Sequence, residues 1–165
     1  MINGKKIAKE IAIGVLILFV VSNVLSYLRK PALQDEALPT DTFQTIDGKQ
    51  FDFDSFQGKP LLIHFWATWC PACKMETANI ERVSKKYQVV TVAVQSGSNS
   101  EIKAFMKEKE ASFNVINDRE GELSRRFTVE VFPTTFIYDS EGKLLFSEVG
   151  YTTTAGLLAR MAMVP

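Results

Sequence analysis

Cysteine and histidine are scarce: the 165 residues hold two of the first and one of the second. Structural zinc wants four ligands, usually two Cys-x-x-Cys pairs or one pair with two histidines, so this count excludes such a site. Copper(I), which accepts soft thiolates, stays open. Net charge is absent as well, with 19 Lys and Arg against 19 Asp and Glu. Without a basic excess nothing argues for nucleic acid as a partner, and no acidic block forms a tail. Internal repeats and low-complexity tracts are missing too, and the length allows one domain plus short extras.

What the chain does have is concentrated in one stretch, Phe65-Trp66-Ala67-Thr68-Trp69-Cys70-Pro71-Ala72-Cys73-Lys74, which holds both cysteines. Leu61 to Trp66 is apolar apart from His64 and predicts a buried strand. A helix-like pattern begins after Cys70. Strand, turn, Cys-x-x-Cys and helix in that order predict a redox dithiol. A thiol attacks a disulfide only as its thiolate, so the first cysteine needs a lowered pKa. Pro71 at the first helical position sacrifices no useful N–H, and the free N–H groups of the first turn face the Cys70 sulfur. A helix terminus supplies roughly 0.3–2 kcal/mol, about one pKa unit. Any larger shift needs hydrogen bonds made directly to the sulfur. Cys73, one turn in, suits a resolving thiol. As a purely structural staple the pair closes too short a loop, worth only roughly 2 kcal/mol.

Trp69-Cys70-Pro71-Ala72-Cys73, preceded by Phe65-Trp66-Ala67, resembles the active site of the membrane-anchored TlpA-like branch of the thioredoxin superfamily. Within that branch it is most similar to the suppressor for copper sensitivity protein D group. Val131-Phe132-Pro133-Thr134 resembles the family's cis-proline loop, and Gly150-Tyr151-Thr152 with Gly156-Leu157 resembles that group's ending. The likeness runs from about Phe43 to the C-terminus. It implies a thioredoxin-like α/β fold, with a mixed central sheet flanked by helices and an N-terminal β-hairpin extension. It implies Cys70 and Cys73 as the redox-active disulfide and a cis bond at Pro133 beside it. Trp69, Pro71, Ala72, Phe132 and Thr134 then fall at the site rim or in substrate contact. The Phe132 backbone is expected to pair with an incoming extended peptide, as in strand addition. His64 occupies the position of the buried acid of ordinary thioredoxins. A catalytic role there, taking the proton of Cys73, competes with that of a satisfied core residue. Glu76 matches an acidic residue the family often carries, and Ala78 stands where relatives often have a kinking proline. No cofactor or metal is implied, since electrons pass through the cysteines. The implied partners are protein thiols or disulfides and a membrane electron-transfer protein, in the setting of copper-stress defence. The alternatives are a cytochrome c maturation thiol reductase, a copper(I)-binding dithiol module and a bare interaction domain.

Ile11 to Leu28 is almost continuously apolar, broken by Ser22, Asn23 and Ser26. As a helix it is about 27 Å long, against roughly 30 Å for a bilayer core. Lys5, Lys6 and Lys9 precede it, and Arg29 and Lys30 follow, a narrow bias toward a cytoplasmic N-terminus. The run exceeds a usual signal-peptide core and no A-x-A-like site follows it, which favours an uncleaved anchor. The expected organisation is a cytoplasmic tip and transmembrane anchor over 1–30, a linker over 31–40 and a thioredoxin-like domain over 41–165. That domain would face the periplasm or exterior from the inner membrane, where a disulfide cycle is at home.

Along the domain, Asp47-Gly48 predicts a hairpin turn within Phe43 to Phe53. The helix after Cys73 is expected to bury Met75, Ala78, Ile80, Val83 and Tyr87 and to end near Lys86. A strand over Val89 to Val94, a helix over Glu101 to Lys109 capped by Ser100, a strand over Phe113 to Ile116 and a helix over Glu122 to Phe127 follow. Strands over Thr134 to Tyr138 and Leu144 to Val149 and a helix over Thr153 to Met163 complete a mixed sheet with helices on both faces.

Overall fold

The computed structural model describes residues 38–53 and 58–165, together with Glu10, Ile13, Gly14, Leu16, Ile17 and Val21. Two units separate at Lys30: Met1–Lys30 and Pro31–Pro165. Most of the expected anchor, Ile11 to Leu28, and most of the expected linker lie outside the described residues. Among the described residues no helix is long and apolar enough to cross a membrane.

The second unit runs β1 (Thr42–Gln44), β2 (Gln50–Asp52), β3 (Leu61–Trp66), α1 (Pro71–Ser84), β4 (Gln88–Val94), α2 (Asn99–Glu108), β5 (Asn114–Asp118), α3 (Glu122–Arg126), β6 (Thr134–Tyr138), β7 (Leu144–Val149) and α4 (Thr154–Ala162). The main sheet has the order β5-β4-β3-β6-β7. Strands β3, β4 and β5 are mutually parallel, whereas β6 and β7 join antiparallel. All six residues of β3 are buried, as a central strand covered on both faces requires.

Side-chain alternation along β3 sorts the core into two layers. Leu62 and Trp66 pack with Ala93 and Ile137 against Ile80 of α1, Ile102 of α2 and Leu157 of α4. Leu61, Ile63 and Phe65 pack on the opposite face with Val92 and Phe136 against Leu123 of α3 and Phe127, which follows it. Phe65 meets Phe127 and Phe136 at ring distances of 5.1 and 5.8 Å. Burying each such side chain stabilises by about 1.5–3 kcal/mol. The β1–β2 hairpin sits at the outer edge of β5: Ile46 N–H donates to the Val115 carbonyl at 2.9 Å, and Thr45 bridges to Ile116. Helices on both faces and the added hairpin agree with the expected fold.

Two local expectations change. Helix α2 begins at Asn99, one residue ahead of its expected cap at Ser100. Ser98 is the cap, its side chain accepting from Glu101 N–H while the Glu101 carboxylate accepts from Ser98 N–H at 2.7 Å. That reciprocal pair satisfies two otherwise orphaned donors and so sets the start. Helix α1 differs in phase. Met75 is 66% exposed and Ala78 is exposed, whereas Cys73, Glu76, Thr77, Ile80 and Val83 are buried. The inward stripe is set by Cys73 and repeats at three and four residues from it, which turns Met75 to solvent and a carboxylate into the core.

Candidate active site

Strand β3 ends at Trp66, and the turn Ala67-Thr68-Trp69 delivers Cys70 to the N-terminus of α1. The turn is held from the loop after β4: Thr68 N–H donates to Ser96 Oγ at 3.0 Å, and the Trp69 indole N–H donates to the Gln95 carbonyl at 3.2 Å. Gln95 makes that contact from a left-handed backbone, φ 45°. Cys70 caps α1 and Pro71 occupies its first turn. The two cysteines are joined in a disulfide with Cα atoms 5.3 Å apart. Cys73 N–H donates to Cys70 Sγ at 3.2 Å. This is a hydrogen bond made directly to the sulfur, beyond the helix dipole, and it favours a Cys70 thiolate when the pair is reduced. Cys73 lies deeper, 1% exposed against 5% for Cys70.

The loop before β6 closes the other side. The Phe132–Pro133 bond is cis, as the resemblance implied. The Phe132 carbonyl oxygen lies 3.7 Å from Cys70 Sγ. Trp69 stands edge-on to Phe132 with ring centres 5.7 Å apart, and is 56% exposed. Pro71 is exposed, Ala72 and Phe132 are half-buried, and Met75, Val131 and Tyr151 add further exposed apolar surface. Thr134, expected at the rim, is turned inward: it is 1% exposed and its hydroxyl donates to the Val131 carbonyl at 2.7 Å. Its work is to hold the loop. Trp66 is a packing residue, its indole N–H donating to Thr91 Oγ1 at 3.0 Å.

His64 sits on the same face of β3 as Leu62 and Trp66, toward α1. Its Nδ1 is 2.9 Å from the hydroxyl of Thr135, its partner across the β3–β6 ladder. Burial pushes its pKa down to about 3, so the imidazole is neutral and a weak base. Glu76 is the contrasting group. It is 0% exposed, and burial pushes its pKa up to about 8, against a smaller lowering by the Thr152 N–H that donates to Oε1 at 3.3 Å. Oε2 has no hydrogen-bond partner among the described residues. Three residues after Cys73 on one helix, Glu76 shares its face, roughly 5–6 Å away between Cβ atoms. Its side chain leans back over the preceding turn, toward the cysteine. The sequence offered a signal for this: phasing α1 from Cys73 rather than from Met75 puts Glu76 inside. Among the described residues no group of three or more His, Cys, Asp or Glu side chains could hold a metal ion.

The sequence matches the profile of the AhpC/TSA family over residues 34–147. It is 32% identical over 159 residues to a thioredoxin-like protein of Haemophilus influenzae, a match spanning 95% of this chain and 94% of that protein. The chain belongs to the AhpC/TSA family, within the thioredoxin-like superfamily. It is also similar to sporulation thiol-disulfide oxidoreductase A of Bacillus subtilis, at 28% identity over 69% of this chain and 73% of that one. Among solved structures it resembles a secreted disulfide oxidoreductase of Mycobacterium tuberculosis, with 25% identity and a TM-score of 0.68 over 76% of this chain and 96% of the other. With its Cys70–Cys73 pair, this member of the family is an oxidoreductase of the thioredoxin type.

Proposed function

We propose that this oxidoreductase is anchored in the inner membrane by its N-terminal segment and exchanges disulfides with extracytoplasmic protein substrates. The observation that carries the chemistry is the placement of Cys70: at a helix N-terminus, hydrogen-bonded by Cys73 N–H, and 3.7 Å from the Phe132 carbonyl. In the reduced protein the Cys70 thiolate attacks one sulfur of a substrate disulfide, and the other substrate sulfur leaves as a thiolate. Cys73 then loses its proton and attacks Cys70 Sγ. The Cys70–substrate bond breaks, the second substrate thiolate departs and the Cys70–Cys73 disulfide forms. Run backwards, the same steps oxidise a substrate dithiol. The Phe132 backbone and the exposed Trp69 and Val131 flank the place where a substrate peptide would lie.

Magnitudes favour one of the two buried groups as the acceptor of the Cys73 proton. An ordinary thiol has a pKa of about 8.5. Transfer to the ionised form of Glu76, the minor form below its pKa of about 8, is nearly thermoneutral, roughly 0.7 kcal/mol uphill. Transfer to His64, at about 3, is roughly 7.5 kcal/mol uphill, a factor of about 10⁵. The proton role considered for His64 therefore passes to Glu76, and His64 is left as a packed residue paired with Thr135. The anchor reading draws support from Ile13, Leu16, Ile17 and Val21, helical residues at near-helical spacing whose apolar side chains are 43–61% exposed. A secreted relative of the same fold supports the extracytoplasmic setting. We further propose, from the resemblance to the copper-sensitivity group, a role in copper tolerance, served by a membrane electron-transfer partner.

The decisive experiment is substrate trapping in the native membrane. Cys73→Ser should accumulate mixed disulfides through Cys70, and the trapped proteins name the substrates and the electron-transfer partner. An absence of trapped species under conditions where the wild type turns over would defeat the exchange mechanism. Copper-sensitive growth of a deletion strain, restored by the wild type and not by Cys70→Ser, tests the copper setting.

A further inference from the structure

The buried carboxyl of Glu76 depends on a segment far away in sequence. Among the described residues its one hydrogen bond comes from the Thr152 backbone, in the loop between β7 and α4. That loop is pinned to α1 by a second side chain as well. Asn79 Nδ2 donates to the Thr152 carbonyl at 3.0 Å and to the Tyr151 hydroxyl at 3.1 Å, and Asn79 Oδ1 accepts from the Thr154 hydroxyl at 2.8 Å. Asn79 is 8% exposed, and three residues after Glu76 it lies on the same side of the helix. Both polar atoms of its amide are thus spent on the loop that faces Glu76 and on the first residue of α4. At the other end of the loop Gly150 N–H donates to the Pro133 carbonyl at 2.8 Å, so the segment spans from the substrate loop to the buried acid.

We propose that Asn79 is a positioning residue for proton transfer: by clamping Tyr151, Thr152 and Thr154 to α1 it keeps the Thr152 N–H on Glu76 and so sets how readily that carboxyl ionises. This rests on the reading of Glu76 as the proton acceptor for Cys73. The chemistry of the clamp is specific. An asparagine offers a carbonyl and an NH₂ at once, and both are needed to hold a carbonyl, a phenol and a hydroxyl. A hydrophobe of similar size fills the volume and holds none of them.

The other titratable groups around Glu76 leave the hydrogen bond as the adjustable influence. Cys73 is bound in the disulfide. His64 on β3 is neutral. Arg160 of α4 is paired with Glu148 of β7 at 2.8 Å, and the Tyr151 hydroxyl is held by Asn79. Burial raises the pKa of Glu76 and the Thr152 N–H lowers it. Losing the N–H while keeping the site dry must therefore raise it further.

The test follows the Glu76 carboxyl directly. The full chain, oxidised and in detergent, is labelled with ¹³C at glutamate carboxyls and titrated from pH 5 to 10, with Glu76→Gln assigning the signal. Asn79→Leu should move the titration upward by about one unit, the share of one N–H when two or three of them lower a carboxyl by about two. Thr154→Val, which reaches Glu76 only through Asn79, should move it the same way by less. A Glu76 titration unchanged or shifted downward in both variants overturns the proposal. Should Asn79→Leu fail to fold, Thr154→Val decides alone. Resolution of a preformed mixed disulfide is then measured against pH. The Asn79→Leu profile should shift up with the titration, with the plateau rate at high pH retained. If Glu76→Gln leaves resolution unaltered, the proton-acceptor reading fails by itself, and the titration still decides whether Asn79 sets the acidity of Glu76.

Discussion

Two buried ionisable groups with opposite shifts predict an unusual dependence of stability on pH. Glu76 is raised from 4.5 to about 8, and His64 is lowered from 6.5 to about 3, both chiefly by burial. Between pH 4.5 and 8 the unfolded chain has lost the Glu76 proton while the folded protein keeps it. Stability therefore falls there by about 1.4 kcal/mol per pH unit. Between pH 3 and 6.5 the unfolded chain holds the His64 proton and the folded protein does not, so stability rises with pH at the same slope. The two slopes cancel where the windows overlap, from pH 4.5 to 6.5. What remains is a plateau over that range, an acid fall from His64 below it and an alkaline fall from Glu76 above it. Each group taken alone spans on the order of 5 kcal/mol, comparable with the whole stability of a small domain. The assay is urea unfolding of the oxidised protein from pH 3 to 8.5, followed by the fluorescence of buried Trp66. Glu76→Gln keeps an acceptor for Thr152 N–H but cannot ionise. Its stability relative to wild type should climb by several kcal/mol between pH 4.5 and 8. His64→Asn should gain on wild type as pH falls from 6.5 to 3. Glu76→Gln differing from wild type by the same amount at every pH would refute the claim that Glu76 is buried as a neutral acid.

Three further outcomes are expected. In the reduced protein near pH 6, Cys70 should be alkylated well before Cys73, and Cys70→Ser should trap no mixed disulfide; mass mapping of the labelled sites checks both, and preferential labelling of Cys73 would reverse the assignment. Ser96→Ala should destabilise by about 1–3 kcal/mol, because it strands the Thr68 N–H that Ser96 Oγ now accepts; denaturant unfolding measures it, and a loss below about 0.5 kcal/mol would mean the turn finds another acceptor. Carbonate extraction of native membranes should leave the full-length protein in the pellet, whereas recovery of a shortened soluble form would show that the N-terminal segment is cleaved.

The sequence alone determined the parts that depend on local pattern. An apolar run ending in Cys-x-x-Cys and then a helix located β3, the turn and the redox pair, because a strand read along its own length needs no partner to be recognised. Strands β6 and β7 fall at their expected limits for the same reason, with Asp139 to Gly142 marking the turn between them. The likeness of Val131-Phe132-Pro133-Thr134 to a known loop located the second wall of the site. Tertiary structure alone decided which way α1 faces and what its inward residues become. Hydropathy favoured Met75 and Ala78 for the core, yet the disulfide's place against β3 and the loop before β6 sets the rotation of the helix and carries Glu76, Thr77 and Asn79 inside. The character of Glu76 and Asn79 then follows from partners more than 70 positions away, Tyr151, Thr152 and Thr154, which no periodicity brings together. The position of His64 was legible and its chemistry was not. An imidazole reports its surroundings through its pKa, and only the packed core, with Thr135 as its hydrogen-bond partner across the β3–β6 ladder, makes it so weak a base.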